Sequence, residues 1–172
     1  MYEKNKISEL YQMAIAEYEN SIANGYPVRK YEAYTDYTVT YNADDILSLY
    51  FDQYEYTGGA HGMTYRTSDN WDLYSGSRIS LEDLFPDMPD YEEYVMNSII
   101  QQINEDMASG NQMYFEDYEQ LVRESFDSNQ FYLTEEGVVL FFNLYDIAPY
   151  AAGMPTFNIP YGESGATLPK SK

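Results

Sequence analysis

Apolar side chains at Ile7, Leu10, Tyr11, Ala14, Tyr18 and Ile22 recur with the 3.6-residue period of a helix, and Asn24-Gly25 followed by Pro27 closes the run. The spacing predicts an amphipathic helix over residues 4–24. From Lys30 to Tyr41 the period drops to two, with Tyr31, Ala33, Thr35, Tyr37, Val39 and Tyr41 on one side, which reads as a strand. Ala43-Asp44-Asp45 makes a turn. A second strand follows from Ile46 to Tyr56, with Leu47, Leu49 and Phe51 facing one way and Tyr50, Tyr54 and Tyr56 the other, so a hairpin is expected.

Met63 to Trp71 is a third extended segment, and Tyr74-Ser75-Gly76-Ser77 a turn leading into Arg78-Ile79. Ser80 is placed to cap a short helical turn through Asp83, ended by Pro86. Tyr91, Val95, Ile99, Ile103 and Met107 repeat at i, i+4 and predict the main helix, stopped by Ser109-Gly110. A further helix is expected over Phe115 to Phe126, and strands over Gln130 to Leu133, Val138 to Tyr145 and Thr156 to Ile159. Helices segregated from hairpin-connected strands describe an α+β fold: an antiparallel sheet with helices packed mainly on one face. A single domain over residues 1–162 is expected, with a helix-hairpin part (1–56) and a motif-bearing part (57–162), then a flexible tail over 163–172.

At 172 residues and 44% hydrophobic, the chain can build a core without staples. The absence of cysteine removes disulfides and thiol chemistry together. No apolar run of membrane-spanning length occurs. The formal charge of −20, from 29 acidic and 9 basic side chains, argues against nucleic acid and against an anionic membrane surface as partners. It favours a cationic partner, whose encounter such a field accelerates; plain solubility is the competing explanation.

Two stretches stand out as candidate binding sites. The first is Tyr54-Glu55-Tyr56-Thr57-Gly58-Gly59-Ala60-His61-Gly62, which crowds aromatics, three glycines and the only histidine between two strands. Glycines here signal positive φ or close approach by another group, and Tyr54, Tyr56, Gly58, Gly59 and His61 are the candidate ligand-binding residues. The second is Ala148-Pro149-Tyr150-Ala151-Ala152-Gly153, in which proline stiffens a loop that can present Tyr150 as an anchor; Pro149, Tyr150 and Gly153 are its candidates. For each, a structural role is the alternative: a demanding turn in the first case, an inward-packed tyrosine in the second.

With Phe131-Tyr132-Leu133-Thr134, Gly137-Val138-Val139, Tyr145-Asp146-Ile147 and Ile159-Pro160-Tyr161, these motifs make the chain from about Asn5 to Tyr161 resemble the RsiV-type extracytoplasmic domain family. That family includes the outer part of a lysozyme-sensing anti-sigma factor and domains preceding some peptidoglycan deacetylases. The resemblance implies an extracytoplasmic recognition domain whose partner is a cationic protein such as a C-type lysozyme. In that reading Pro149 and Tyr150 lie near the lysozyme cleft, and the export signal is expected upstream of Met1. A cell-wall glycan module is the alternative, with Tyr37, Tyr50, Tyr65 and Trp71 as stacking surfaces.

Enzymatic chemistry finds little support among the residues. A histidine-based triad has only His61, and no Gly-x-Ser-x-Gly elbow accompanies it; Gly162-Glu163-Ser164-Gly165 has the wrong spacing. One histidine and no cysteine make a zinc site improbable. Asp69, Asn70 and Asp72 lack the spacing of a calcium loop. No pair among the 29 acids is singled out for glycoside cleavage, which remains the remote alternative. The expectation is a non-catalytic protein with no cofactor and no metal.

Overall fold

The computed structural model describes residues 2–110, 113–162 and 164–169. Its elements, in order, are α1 (Tyr2–Asn24), β1 (Glu32–Ala43), β2 (Ile46–Tyr56), β3 (Met63–Asp72), β4 (Ser77–Arg78), α2 (Tyr91–Ser109), α3 (Tyr118–Ser125), β5 (Phe131–Leu133), β6 (Gly137–Phe141) and β7 (Thr156–Pro160). The fold is α+β. The strands divide into two sheets instead of the single one expected, with orders β1-β2-β3-β4 and β5-β6-β7. The chain gathers into two compact units: the first holds residues 1–36 and 52–65, the second residues 37–51 and 66–172.

The hairpin between β1 and β2 turns on Asp44 and Asp45, at φ 52° and 59°. Two consecutive positive φ values define a type I′ turn, whose twist matches that of paired strands, and aspartate tolerates the left-handed region better than most residues.

In the second unit, the predicted stripe of α2 is the centre of the core: Val95, Ile99 and Ile103 are fully buried, packed with Val122, Leu133, Val138 and Phe157. α2 lies against α3 and β7. It ends where Gly110 enters the left-handed region at φ 72° and donates its N–H to Met107. Before α2, Ser80 and Asp83 bond reciprocally, Ser80 N–H to Asp83 Oδ2 at 2.8 Å and Asp83 N–H to Ser80 Oγ at 3.3 Å. This fastens the 3-10 turn Glu82–Leu84 that drives Leu81, Leu84 and Phe85 inward.

Three features were not given by the pattern. First, the alternation of β2 leaves its inward face open, and the structure buries Ile46 and Ser48 while Leu47 and Leu49 are only half-buried. The reason is polar: Ser48 Oγ donates to Asn70 Oδ1 (2.7 Å) and accepts the Leu133 N–H (2.8 Å), while Asn70 Nδ2 donates to the Phe131 carbonyl (2.9 Å). These bonds satisfy edge groups of β5 that burial would otherwise orphan. Second, β6 ends at Phe141, four residues short of the expected strand. There Asn143 N–H bonds Asp146 Oδ2 at 2.7 Å, and Tyr145 takes φ 72°, making a turn. Third, residues 164–169 are not a loose tail. Ala166 is fully buried and bridges Tyr161, and Thr167 N–H donates to Leu84 O at 2.8 Å. Glu163 and residues 170–172 of the expected tail lie outside the described residues.

The helical period of α1 did not translate into burial. Leu10 is buried, yet Ile7, Tyr11, Tyr18 and Ile22 of the predicted stripe are each more than half exposed.

Burial also sets an alkaline limit on stability. Desolvation holds the Tyr114 and Tyr161 phenols well above the ordinary value of 10.0, and the Asp106 carboxylate, which accepts the Tyr114 hydroxyl at 3.2 Å, adds to the rise at Tyr114. Because the unfolded chain ionises these tyrosines first, stability is intact below about pH 10 and declines above it. Thermal melts from pH 8 to 11.5 should therefore be level and then fall, with a shallower fall for Tyr114→Phe.

Candidate functional site

The first unit places a tyrosine pair beside a charged pair. Tyr34 of β1 and Tyr54 of β2 stack with ring centroids 4.8 Å apart and planes inclined by 27°. Tyr34 is 61% exposed, so its ring remains accessible, whereas Tyr54 is half-buried. Beside them Lys6 of α1 sits 3.6 Å from the Glu55 carboxylate. These four residues, with Gln53, line a depression of about 160 Å³. An exposed aromatic face bordered by an ammonium, a carboxylate and an amide is equipped to stack on an amphipathic ring and to bond polar groups at its rim.

The glycine loop explains why Tyr54 lies where it does. A Cβ on Gly62 would overlap the Tyr54 ring, so the ring occupies space that only glycine leaves open. Gly58 is demanded twice over: its φ is +83°, and a side chain would run into Arg29 at 2.7 Å. Gly59 carries no such demand, its nearest neighbour being the His61 carbonyl at 3.8 Å. The loop is braced by the Tyr56 hydroxyl donating to Gly59 O at 3.0 Å. His61 is exposed, and its Nδ1 lies 3.0 Å from the adjacent Gly62 carbonyl, a contact that orients the imidazole as a donor at that nitrogen. Of the candidates in this stretch, Tyr54 thus belongs to the tyrosine pair, while Tyr56, Gly58 and His61 shape the loop that follows it.

Pro149, Tyr150 and Gly153 belong to the second unit, so the two candidate stretches fall in different units. Pro149 enters a 3-10 turn at Tyr150–Ala152, and Gly153, at φ 74°, closes it with its N–H on the Tyr150 carbonyl. Tyr150 is half-buried, its ring 5.9 Å from that of Tyr145. Nearby Asp146 has its pKa raised by burial, against the opposing hydrogen bond from Asn143 N–H.

The three-tyrosine platform is corrected. Tyr37 and Tyr65 are exposed, but Tyr50 is half-buried, with the Arg66 guanidinium 3.8 Å from its ring centroid and Tyr132 packed at 5.2 Å, so its ring is already engaged within the second unit. Trp71 likewise has Arg78 5.1 Å above it.

Lys6, Tyr34, Gln53 and Glu55 were not among the residues that sequence reasoning selected. Glu55 was visible only as part of the Tyr54-Glu55-Tyr56 run, and Lys6 lay next to the helical stripe without belonging to it.

Residues 2–64 match the family described as Deacetylase PdaC, and residues 82–162 the family described as Protein of unknown function (DUF3298). The likeness is thus to PdaC and DUF3298 proteins. Peptidoglycan-N-acetylmuramic acid deacetylase PdaC of Bacillus subtilis is 26% identical over 122 residues, covering 70% of this chain. The chain spans only about a quarter, 26%, of that enzyme's length. A DUF3298 family member from Bacteroides fragilis superposes with a TM-score of 0.68 at 26% identity, covering 93% of this chain and 64% of its own. A DUF3298 protein from Pseudomonas aeruginosa shares the fold, with a TM-score of 0.58 at 23% identity, covering 85% of this chain and 65% of its own. The PdaC-matched segment contains both members of the tyrosine pair and the Lys6–Glu55 pair. Among the described residues, no helix is long and apolar enough to cross a membrane.

Proposed function

We propose that the chain is a non-catalytic, extracytoplasmic recognition domain for cell-wall glycan, binding through the Tyr34–Tyr54 pair of its PdaC-like segment. The observation that carries this is the exposed Tyr34 ring, backed by Tyr54 and bordered by Lys6, Gln53 and Glu55. A pyranose ring presents an apolar C–H face and a rim of hydroxyls, the combination that an aromatic face with adjacent polar groups accommodates. The relation to an enzyme named for peptidoglycan supports the same ligand class. The non-catalytic part of the reading rests on the poor stock of acid–base groups: the single histidine is exposed and turned to its neighbour's carbonyl.

Binding to purified peptidoglycan should weaken about tenfold in Tyr34→Ala, corresponding to the ~1.4 kcal/mol that an aromatic stacking contact contributes. Co-sedimentation with insoluble peptidoglycan measures this; retention undiminished in the variant would remove Tyr34 from the site.

A second reading is favoured by the formal charge of −20: a cationic protein partner, a C-type lysozyme in the sensor version, with Pro149 and Tyr150 as candidates for its contact. Ionic strength separates the two. Association with a cationic protein slows as salt screens the field, whereas stacking on a neutral sugar face scarcely responds.

A further inference from the structure

We propose that the Lys6–Glu55 pair is the centre of a groove with several subsites and that it makes the domain selective for an oligosaccharide carrying carboxylates. This rests on the glycan reading above and extends it from a stacking face to a ligand chemistry.

Three depressions on the first unit share both Lys6 and Glu55 in their walls. One, of about 160 Å³, runs to the tyrosine pair; a second, of about 370 Å³, runs to Met63 and Tyr65; a third, of about 120 Å³, runs to Met13 and Thr57. Two of the three fall below the roughly 300–1,000 Å³ of a typical small-molecule pocket, and the third is at its lower end. No single one accommodates an oligosaccharide, but adjoining at one charged pair they offer places for successive sugar rings. Tyr34 and Tyr65, both more than half exposed, supply aromatic faces in two different depressions.

The pair itself is poised for a ligand. At 3.6 Å the Lys6 ammonium is within ion-pair range of Glu55 but beyond hydrogen-bond length, so its donors are not consumed by that carboxylate. Both side chains remain accessible, at 48% and 29% of their full exposure. Lys6 is one of only 9 basic residues against 29 acidic ones, so an anionic ligand meets general repulsion everywhere except at such a cation. The ammonium then receives the ligand carboxylate as a point charge, while the Glu55 carboxylate and the Gln53 amide serve hydroxyl and amide groups on the flanking rings. Binding is reversible and involves no covalent step.

Calorimetric titration of the whole chain with two probes tests this: cell-wall glycan fragments retaining their N-acetylmuramic carboxylates, and the same fragments with those carboxylates reduced to alcohols. The unmodified chain should prefer the carboxylate form by about tenfold, the worth of one charge-assisted contact at a partly exposed site. Lys6→Gln should bind both forms alike, at the affinity of the reduced form, and Lys6→Arg should restore part of the preference; thermal melts establish that both variants are folded. Equal binding of the two probes by the unmodified chain, or a preference kept by Lys6→Gln, overturns the selectivity while leaving the glycan site standing. Binding of neither probe overturns both.

Discussion

Gly62→Ala is expected to destabilise the first unit by about 1–3 kcal/mol, and to do so only while Tyr54 is present. The added methyl would occupy space held by the Tyr54 ring. Gly62 is buried and sits on the backbone entering β3, so the ring must give way rather than the main chain. Displacing the ring also breaks its stack on Tyr34, so glycan binding should fall along with stability. Truncating the ring removes the collision: in a Tyr54→Ala background, adding Gly62→Ala should cost little further. Urea denaturation of the four proteins in the cycle gives the coupling directly. Additive effects would show that the glycine serves the loop backbone and not the tyrosine.

Asn70→Ala is expected to cost about 1–3 kcal/mol in the second unit, because it strands the buried Phe131 carbonyl and makes the Ser48 hydroxyl find another acceptor. Asn70 is 5% exposed and Ser48 fully buried. Without the amide, the Phe131 carbonyl loses its donor, and the Ser48 hydroxyl must turn from Asn70 to the Thr40 hydroxyl 3.1 Å away. Asn70→Asp should do no better, since an ionised carboxylate can accept from Ser48 but cannot donate to Phe131 O, and it brings an uncompensated charge into the interior. Ser48→Ala tests the other end, leaving the Leu133 N–H unpaired. The midpoint of denaturant unfolding measures all three. A change under about 0.5 kcal/mol for Asn70→Ala would mean that solvent replaces the amide.

Much of the local architecture was legible because it depends on short-range physics. The i, i+4 repeat placed α2 and its buried face, since that helix covers a sheet and Val95, Ile99 and Ile103 are enclosed there, while Met107 at the end of the stripe stays exposed. Ser80 and Asp83 marked the turn before α2 because capping bonds span only three residues. Periodicity misled where the partner was not what a period reports. The stripe of α1 remained largely exposed, and in β2 the alternation defines two faces without saying which is buried, a choice that the hydrogen bonds of Ser48 make. A hydroxyl that caps another strand's edge can outweigh the preference of Leu47 and Leu49 for the interior, and nothing in the local pattern announces it.

By itself, the sequence determined the α+β class, the hairpin, the main helix, the acidic balance and the unusual crowding of glycine with tyrosine after β2. Those are properties of composition and of neighbours a few residues apart. Only the tertiary structure decided that Tyr54 stacks on Tyr34, that Gly62 rather than Gly59 clears room for its ring, and that Lys6 meets Glu55. The physical reason is that a binding site is made of contacts between segments remote in the chain. A side chain's periodicity says which face it occupies, and only strand pairing and helix placement say what stands opposite that face.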